Sequence, residues 1–118
     1  TSPAVILFRT EDITPKQFGE NPDNIIYPTG NEGNIVYACL KMPRRWVIDA
    51  MEVYNATALA KCKKRLTPDL DNGYATLTGG YGHSLIRKVE KTVDGHAIYQ
   101  DTNNSTNDFY EADNCSLR

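Results

Sequence analysis

Side-chain oxygens crowd one stretch of this sequence, Asp101-Thr102-Asn103-Asn104-Ser105-Thr106-Asn107-Asp108-Phe109. Asp101, Asn103 and Asp108 carry hard oxygen ligands that a loop could gather around a calcium ion. The same side chains can instead hydrogen-bond the loop's own backbone, replacing partners lost where a strand ends. The second use is the expected one. Phe109 closes the block, and a phenylalanine there should plug the loop into a core instead of leaving it as a solvated tail. No metal and no cofactor is therefore assigned. Asp101, Asn103, Asn104 and Asp108 stand as candidate ligand-binding groups on a loop, with Tyr74 and Tyr81 as candidate platforms for stacking on a sugar ring.

Other reactive arrangements fall short on spacing. Asp69-Leu70-Asp71-Asn72-Gly73 opens like a calcium-binding loop. Its fifth position is Gly73 and its twelfth Gly80, where such a loop needs an oxygen and a bidentate acid. A turn held by Asx side-chain bonds is the better reading. Ser84 adjoins His83, but neighbours on a strand point to opposite faces, which separates a nucleophile from its base. Asp49 and Glu52, three apart on a strand, also face opposite ways and cannot flank one glycosidic bond. Asp49 sits among apolar neighbours and should hydrogen-bond a nearby loop. His83 and His96 read as surface strand residues. No catalytic residue is assigned, and the chain is read as non-enzymatic. A hydrolase built on Asp49 or His83 would need a nucleophile beside one of them in a deep pocket.

The net charge is −2, which argues against non-specific nucleic-acid binding. The basic residues at Arg44, Arg45, Lys61, Lys63, Lys64, Arg65, Arg87, Lys88 and Lys91 then read mostly as solvated faces. A length of 118 residues suits a single domain covering 1–118. No run of about 20 apolar residues is present, so no transmembrane segment is expected. The opening Thr1-Ser2-Pro3-Ala4-Val5 leads straight into a strand with no leader, as expected of a piece of a longer protein. Cys39, Cys62 and Cys115 cannot all pair within the chain. They read as small buried hydrophobes, or as one disulfide and a free thiol.

The elements that would position these groups are mostly strands. Val5 to Arg9 reads as a buried strand, and Thr14-Pro15-Lys16-Gln17 as a capping box for one helical turn that Gly19 stops. Residues 21–33 predict a long irregular loop. Asn34 to Met42, apolar on both faces, predicts a central strand. After a turn at Pro43-Arg44, Trp46 to Tyr54 returns as a strand with Ala50, Glu52 and Tyr54 on one side. Asn55 caps a short helix toward Lys64, and Tyr74 to Thr78 is a short strand. Residues 79–82 make a flexible connection. His83 to Thr92 and His96 to Gln100 form a hairpin about Asp94-Gly95, the residue pair that a type I′ turn demands. The fold class is mainly β, a sandwich with one or two short helices.

Five segments, taken together, resemble a known group. They are Trp46-Val47-Ile48-Asp49-Ala50-Met51-Glu52, Lys64-Arg65-Leu66, Leu70-Asp71-Asn72-Gly73-Tyr74, Ser84-Leu85-Ile86-Arg87-Lys88-Val89 and Gln100 through Phe109. In this order they resemble the C-terminal, lamin-tail-like region of an uncharacterised family of gut-bacterial cell-envelope lipoproteins. That resemblance implies an immunoglobulin-like β-sandwich, secreted or attached to the envelope. It implies an interaction or adhesion module with protein or glycan partners at the cell surface, and it offers no catalytic residues. Two opening signatures of lamin-tail domains have no counterpart here, so the chain looks like the C-terminal part of that fold, lacking its first strands. An exposed sheet edge and self-association through it follow as expectations. The alternative is an accessory or glycan-binding domain of an envelope enzyme whose catalytic part lies outside this chain.

Overall fold

The computed structural model describes residues 2–28, 37–79 and 82–115. In chain order its strands are β1 (Ala4–Phe8), β2 (Ile25–Ile26), β3 (Cys39–Leu40), β4 (Val47–Asn55), β5 (Ala75–Leu77), β6 (Ser84–Arg87), β7 (Val89–Val93), β8 (His96–Tyr99) and β9 (Phe109–Ala112). Two short helices, α1 (Pro15–Gly19) and α2 (Ser105–Asp108), accompany 3-10 turns at Pro22–Asn24, Arg44–Trp46 and Ala56–Lys61. The fold is mainly β. Among the described residues the strands form four small sheets, one of order β1-β4-β5 and the pairs β2-β3, β6-β9 and β7-β8. The chain divides into two compact units, one of Thr1–Ile6 with Asp49–Arg118 and the other of Leu7–Ile48.

Within Leu7–Ile48, local signals act as the residue types dictate. The Thr14 hydroxyl accepts from the Gln17 amide, and the Gln17 side chain accepts from the Thr14 amide at 3.0 Å. Pro15 occupies the first helical position, where an N–H would go unused. Trp46 is buried and meets Phe18 edge to face, ring centres 4.7 Å apart. The expected central strand over Asn34 to Met42 is not found in its described part. Only Cys39–Leu40 is extended, paired antiparallel with Ile25–Ile26, and Leu40 is exposed. A two-residue partner cannot bury a long strand. Positions 34–36 lie outside the described residues, as do positions 29–33 of the expected loop. Residues 21–28 of that loop hold the 3-10 turn capped by Asn21, then β2.

In the other unit the alternation of β4 holds. Ala50, Glu52 and Tyr54 are buried, while Asp49, Met51 and Val53 are half-buried. β5 lies parallel to β4, with Val53 opposite Ala75 and Asn55 opposite Leu77. The connection between them starts at Asn55, whose side chain accepts from the Thr57 amide at 2.9 Å. The expected helix there is a shorter 3-10 turn, kinked at Ala58. β1 is an edge strand, not a buried one. Val5 and Leu7 are 57 % and 59 % exposed, because β4 pairs with it on one side only.

The expected long hairpin is split. β6 pairs antiparallel with β9, Arg87 facing Phe109, while β7 pairs with β8. Lys88 is the crossing point. Its amide donates to the Asp108 carbonyl at 2.8 Å, and its carbonyl accepts from the Gln100 amide at 2.9 Å. The turn itself is as expected. Asp94 and Gly95 both take positive φ, 49° and 77°, the left-handed pair a type I′ turn needs.

Candidate functional site

β4 turns Glu52 to the side of Ala50 and Tyr54 and so places a carboxylate in the interior. Glu52 is 0 % exposed, Asp71 1 % and Asp108 2 %. A buried carboxylate is tolerated only when hydrogen bonds or a counter-charge replace its water. Glu52 Oε1 accepts from the Arg65 amide at 2.6 Å and Oε2 from the Leu66 amide at 3.2 Å, with Lys64 Nζ 2.5 Å from Oε2. Lys64 also donates to the Gly73 carbonyl at 2.6 Å and stands 3.9 Å from Asp71.

Asp71 ties three chain segments together. It accepts from the Glu52, Gly73 and Ser105 amides, each at 2.9 Å, and from the Ser105 hydroxyl. The bond to Gly73 is the expected Asx turn, and the other partners give Asp71 a larger role. Burial pushes its carboxyl upward. The Ser105 hydroxyl and amide, then the Glu52 and Gly73 amides, outweigh that push and hold it below the ordinary aspartate range. The neighbouring backbones run close: the Asn72 amide donates to the Asn103 carbonyl at 2.7 Å. A Cβ on Gly73 would overlap the Asn104 side-chain oxygen. Thr106 completes the lacing, its hydroxyl accepting from the Tyr74 amide at 3.1 Å and donating to the Tyr74 carbonyl at 2.9 Å.

Within the polar block, Asp101, Asn104 and Asp108 turn their side-chain oxygens mainly on the block's own backbone. Asp108 accepts from the Thr102 amide at 2.8 Å, the Asn104 amide at 3.3 Å, the Thr102 hydroxyl at 2.9 Å and the Gln100 side-chain amide at 3.1 Å. Burial raises its carboxyl, and these donors, led by Thr102, bring it below the usual value. Asn104 caps α2 by accepting from the Thr106 amide at 3.1 Å. Asn103 takes positive φ, 53°. Asp101 is exposed, accepts from the Asn103 amide at 3.3 Å and lies 3.9 Å from Arg87. Arg87 makes its close ion pair with Asp49, donates to the Gln100 carbonyl at 2.9 Å and sits 4.6 Å over the Phe109 ring. Among the described residues no three His, Cys, Asp or Glu side chains are placed to hold a metal ion.

Beside these bonds lies a small cavity of about 220 Å³, lined in part by Tyr74, Leu85, Thr106, Phe109, Tyr110 and Glu111. Tyr74 is stacked on buried Tyr54, centroids 4.2 Å apart and planes 7° off parallel, so its ring is held in place. Glu111 is fixed by the Thr78 amide at 3.0 Å, the Thr78 hydroxyl at 2.9 Å and His83 Nδ1 at 2.7 Å. Burial raises its carboxyl, and Thr78 followed by His83 lowers it below the glutamate norm. Ser84 donates to the Asn114 carbonyl at 2.6 Å, and the Cys115 thiol to the His83 carbonyl at 3.5 Å. The three cysteines are free.

Of the sequence candidates, Tyr74 lines the cavity. Asp101, Asn103, Asn104 and Asp108 serve the adjoining loop, and Tyr81 lies outside the described residues. Sequence reasoning missed Phe109, Tyr110 and Glu111 as cavity residues. It also missed Glu52 and Asp71 as buried acids. For Glu52 the signal was an acid on the apolar face of an alternating strand.

Fold and site together define a mainly β protein with carboxylates clasped inside and a small aromatic-lined cleft beside them. The chain matches the family described as Protein of unknown function (DUF4876) over residues 1–116, and it belongs to that family. No curated protein and no solved structure matches it. No helix among the described residues is long and apolar enough to cross a membrane.

Proposed function

We propose that this chain is a non-catalytic binding module of a secreted or envelope-attached bacterial surface protein, and that its cleft takes one ring of a glycan. The cleft carries this reading. It sets a rigid tyrosine face beside Thr106 hydroxyl and Glu111 carboxylate oxygens, the mixture that grips the apolar and polar sides of a sugar. Its volume of about 220 Å³ falls below the several hundred Å³ of an ordinary small-molecule pocket, which suits a single ring at the end of a longer chain. The acids near it, Asp71 and Glu111, accept from backbone amides, hydroxyls and His83 and are held ionised, so they are poor proton donors at neutral pH. The lamin-tail resemblance supports an immunoglobulin-like kinship and the envelope setting. The same cleft would serve an accessory domain of an envelope enzyme equally well.

A saccharide array followed by thermal melting tests this. A glycan that binds the folded chain raises its melting temperature, and Tyr74→Ala should abolish the shift. An array with no binder, or binding indifferent to Tyr74→Ala and Tyr110→Ala, would overturn the reading.

A further inference from the structure

The β7–β8 hairpin is exposed along its whole length. Val89, Val93, Ile98 and Tyr99 are 45 %, 46 %, 39 % and 51 % exposed. Its base is firm, since Lys88 bonds Asp108 and the Gln100 side chain bonds the Asn107 carbonyl at 3.0 Å and Asp108. Beyond that base, among the described residues, each strand pairs only with the other, which leaves each with a second backbone edge that no described strand takes up. A two-stranded ribbon is marginal alone in water, and a bare edge is a template for another strand.

The two edges are not alike. β7 carries Glu90 and Lys91 and a break in register between Val89 and Lys91. Charges and bulges are what guard an edge against pairing. β8, His96-Ala97-Ile98-Tyr99, has no carboxylate, lysine, arginine or proline. Its pairing with β7 runs without a break from Ile98 to His96.

We infer that the free edge of β8 pairs antiparallel with β8 of a second copy of this chain, joining two hairpins into one sheet. Antiparallel pairing about a two-fold axis sets residues of the same backbone orientation opposite each other. Centred on Ile98, it places Ile98 against its own copy, Ala97 against Tyr99 and His96 against Gln100. No like charges meet, and the small Ala97 leaves room for the tyrosine ring. The same operation on β7 sets Lys91 against Lys91 or Glu90 against Glu90, an unfavourable facing. Centred on Thr92, it brings Glu90 against Asp94. These charges, together with the register break on β7, favour β8.

Light scattering coupled to size exclusion, over a range of concentrations, tests the pairing. The chain should show twice its own mass. Ile98→Lys places like charges at the centre of the contact and should give a monomer with unchanged circular dichroism. Mixing Ile98→Lys with Ile98→Glu chains should restore the double mass as a mixed pair, which misfolding could not produce. A wild-type monomer at every concentration, a dimer indifferent to Ile98→Lys, or a mixture that stays monomeric would each overturn the inference.

Discussion

The Asp71 clasp and the β7–β8 hairpin treat water in opposite ways. In the clasp, Glu52 and Asp71 are sealed from solvent with their oxygens on backbone amides. In the hairpin, valine, isoleucine and tyrosine stand in solvent with little covering them. Globular chains ordinarily sort these residue types the other way round. The difference assigns separate tasks. The clasp fixes three distant chain segments in one arrangement and keeps the cleft's Tyr74 and Thr106 in place. The hairpin adds little to the fold's own stability and offers a surface.

Substitutions can break this contrast. Asp71→Ala leaves the buried Glu52, Gly73 and Ser105 amides without their acceptor, and should cost about 3–5 kcal/mol in urea unfolding. A cost under about 1 kcal/mol would mean that the clasp is not what holds the unit. Gly73→Ala forces the Asn104 side chain aside and should cost about 1–3 kcal/mol by the same measurement. Tyr74→Ala removes one ring of the stacked pair, for about 1 kcal/mol beyond its lost burial. Ile98→Lys, at an exposed position, should leave the stability of the single chain within about 0.5 kcal/mol. If it cost as much as Asp71→Ala, the hairpin would be part of the core and the comparison would fail.

Acid sharpens the same contrast. Asp71 and Asp108 have folded pKa values below their unfolded ones. Below about pH 4 the unfolded chain therefore binds more protons than the folded one. The stability these groups contribute is complete above that range and fades as the pH falls through it. Urea midpoints measured from neutral pH downward should drop below about pH 4, and Asp71→Asn should flatten the drop.

Signals that act within a few residues were legible in the sequence. The Thr14–Gln17 capping box, the Asp94-Gly95 turn and the bonds of Asp101, Asn104 and Asp108 within their own loop all join near neighbours, and residue type alone foretells them. The alternation of β4 placed Glu52 on its face. What sequence reading could not supply was the set of partners. Asp71 looks like any turn aspartate because its deciding donors come from Glu52 and Ser105, 19 and 34 positions away. The break at Lys88 was hidden for a like reason. His83 to Thr92 reads as one long strand until β9 and β8 claim its two ends. The cleft is a third case, since Tyr74, Leu85 and Tyr110 meet only after those pairings form.

The span from Asp71 to Ser105 also orders events during synthesis. The Arg65 amide that meets Glu52 is made 13 residues after it, while two of Asp71's donors belong to Ser105, made 34 residues after Asp71. A growing chain thus carries an acid with an incomplete set of partners until Ser105 has left the ribosome. Translation that stops short of Ser105 yields a product whose centre cannot close, and such a product is open to the proteases that clear unfinished chains.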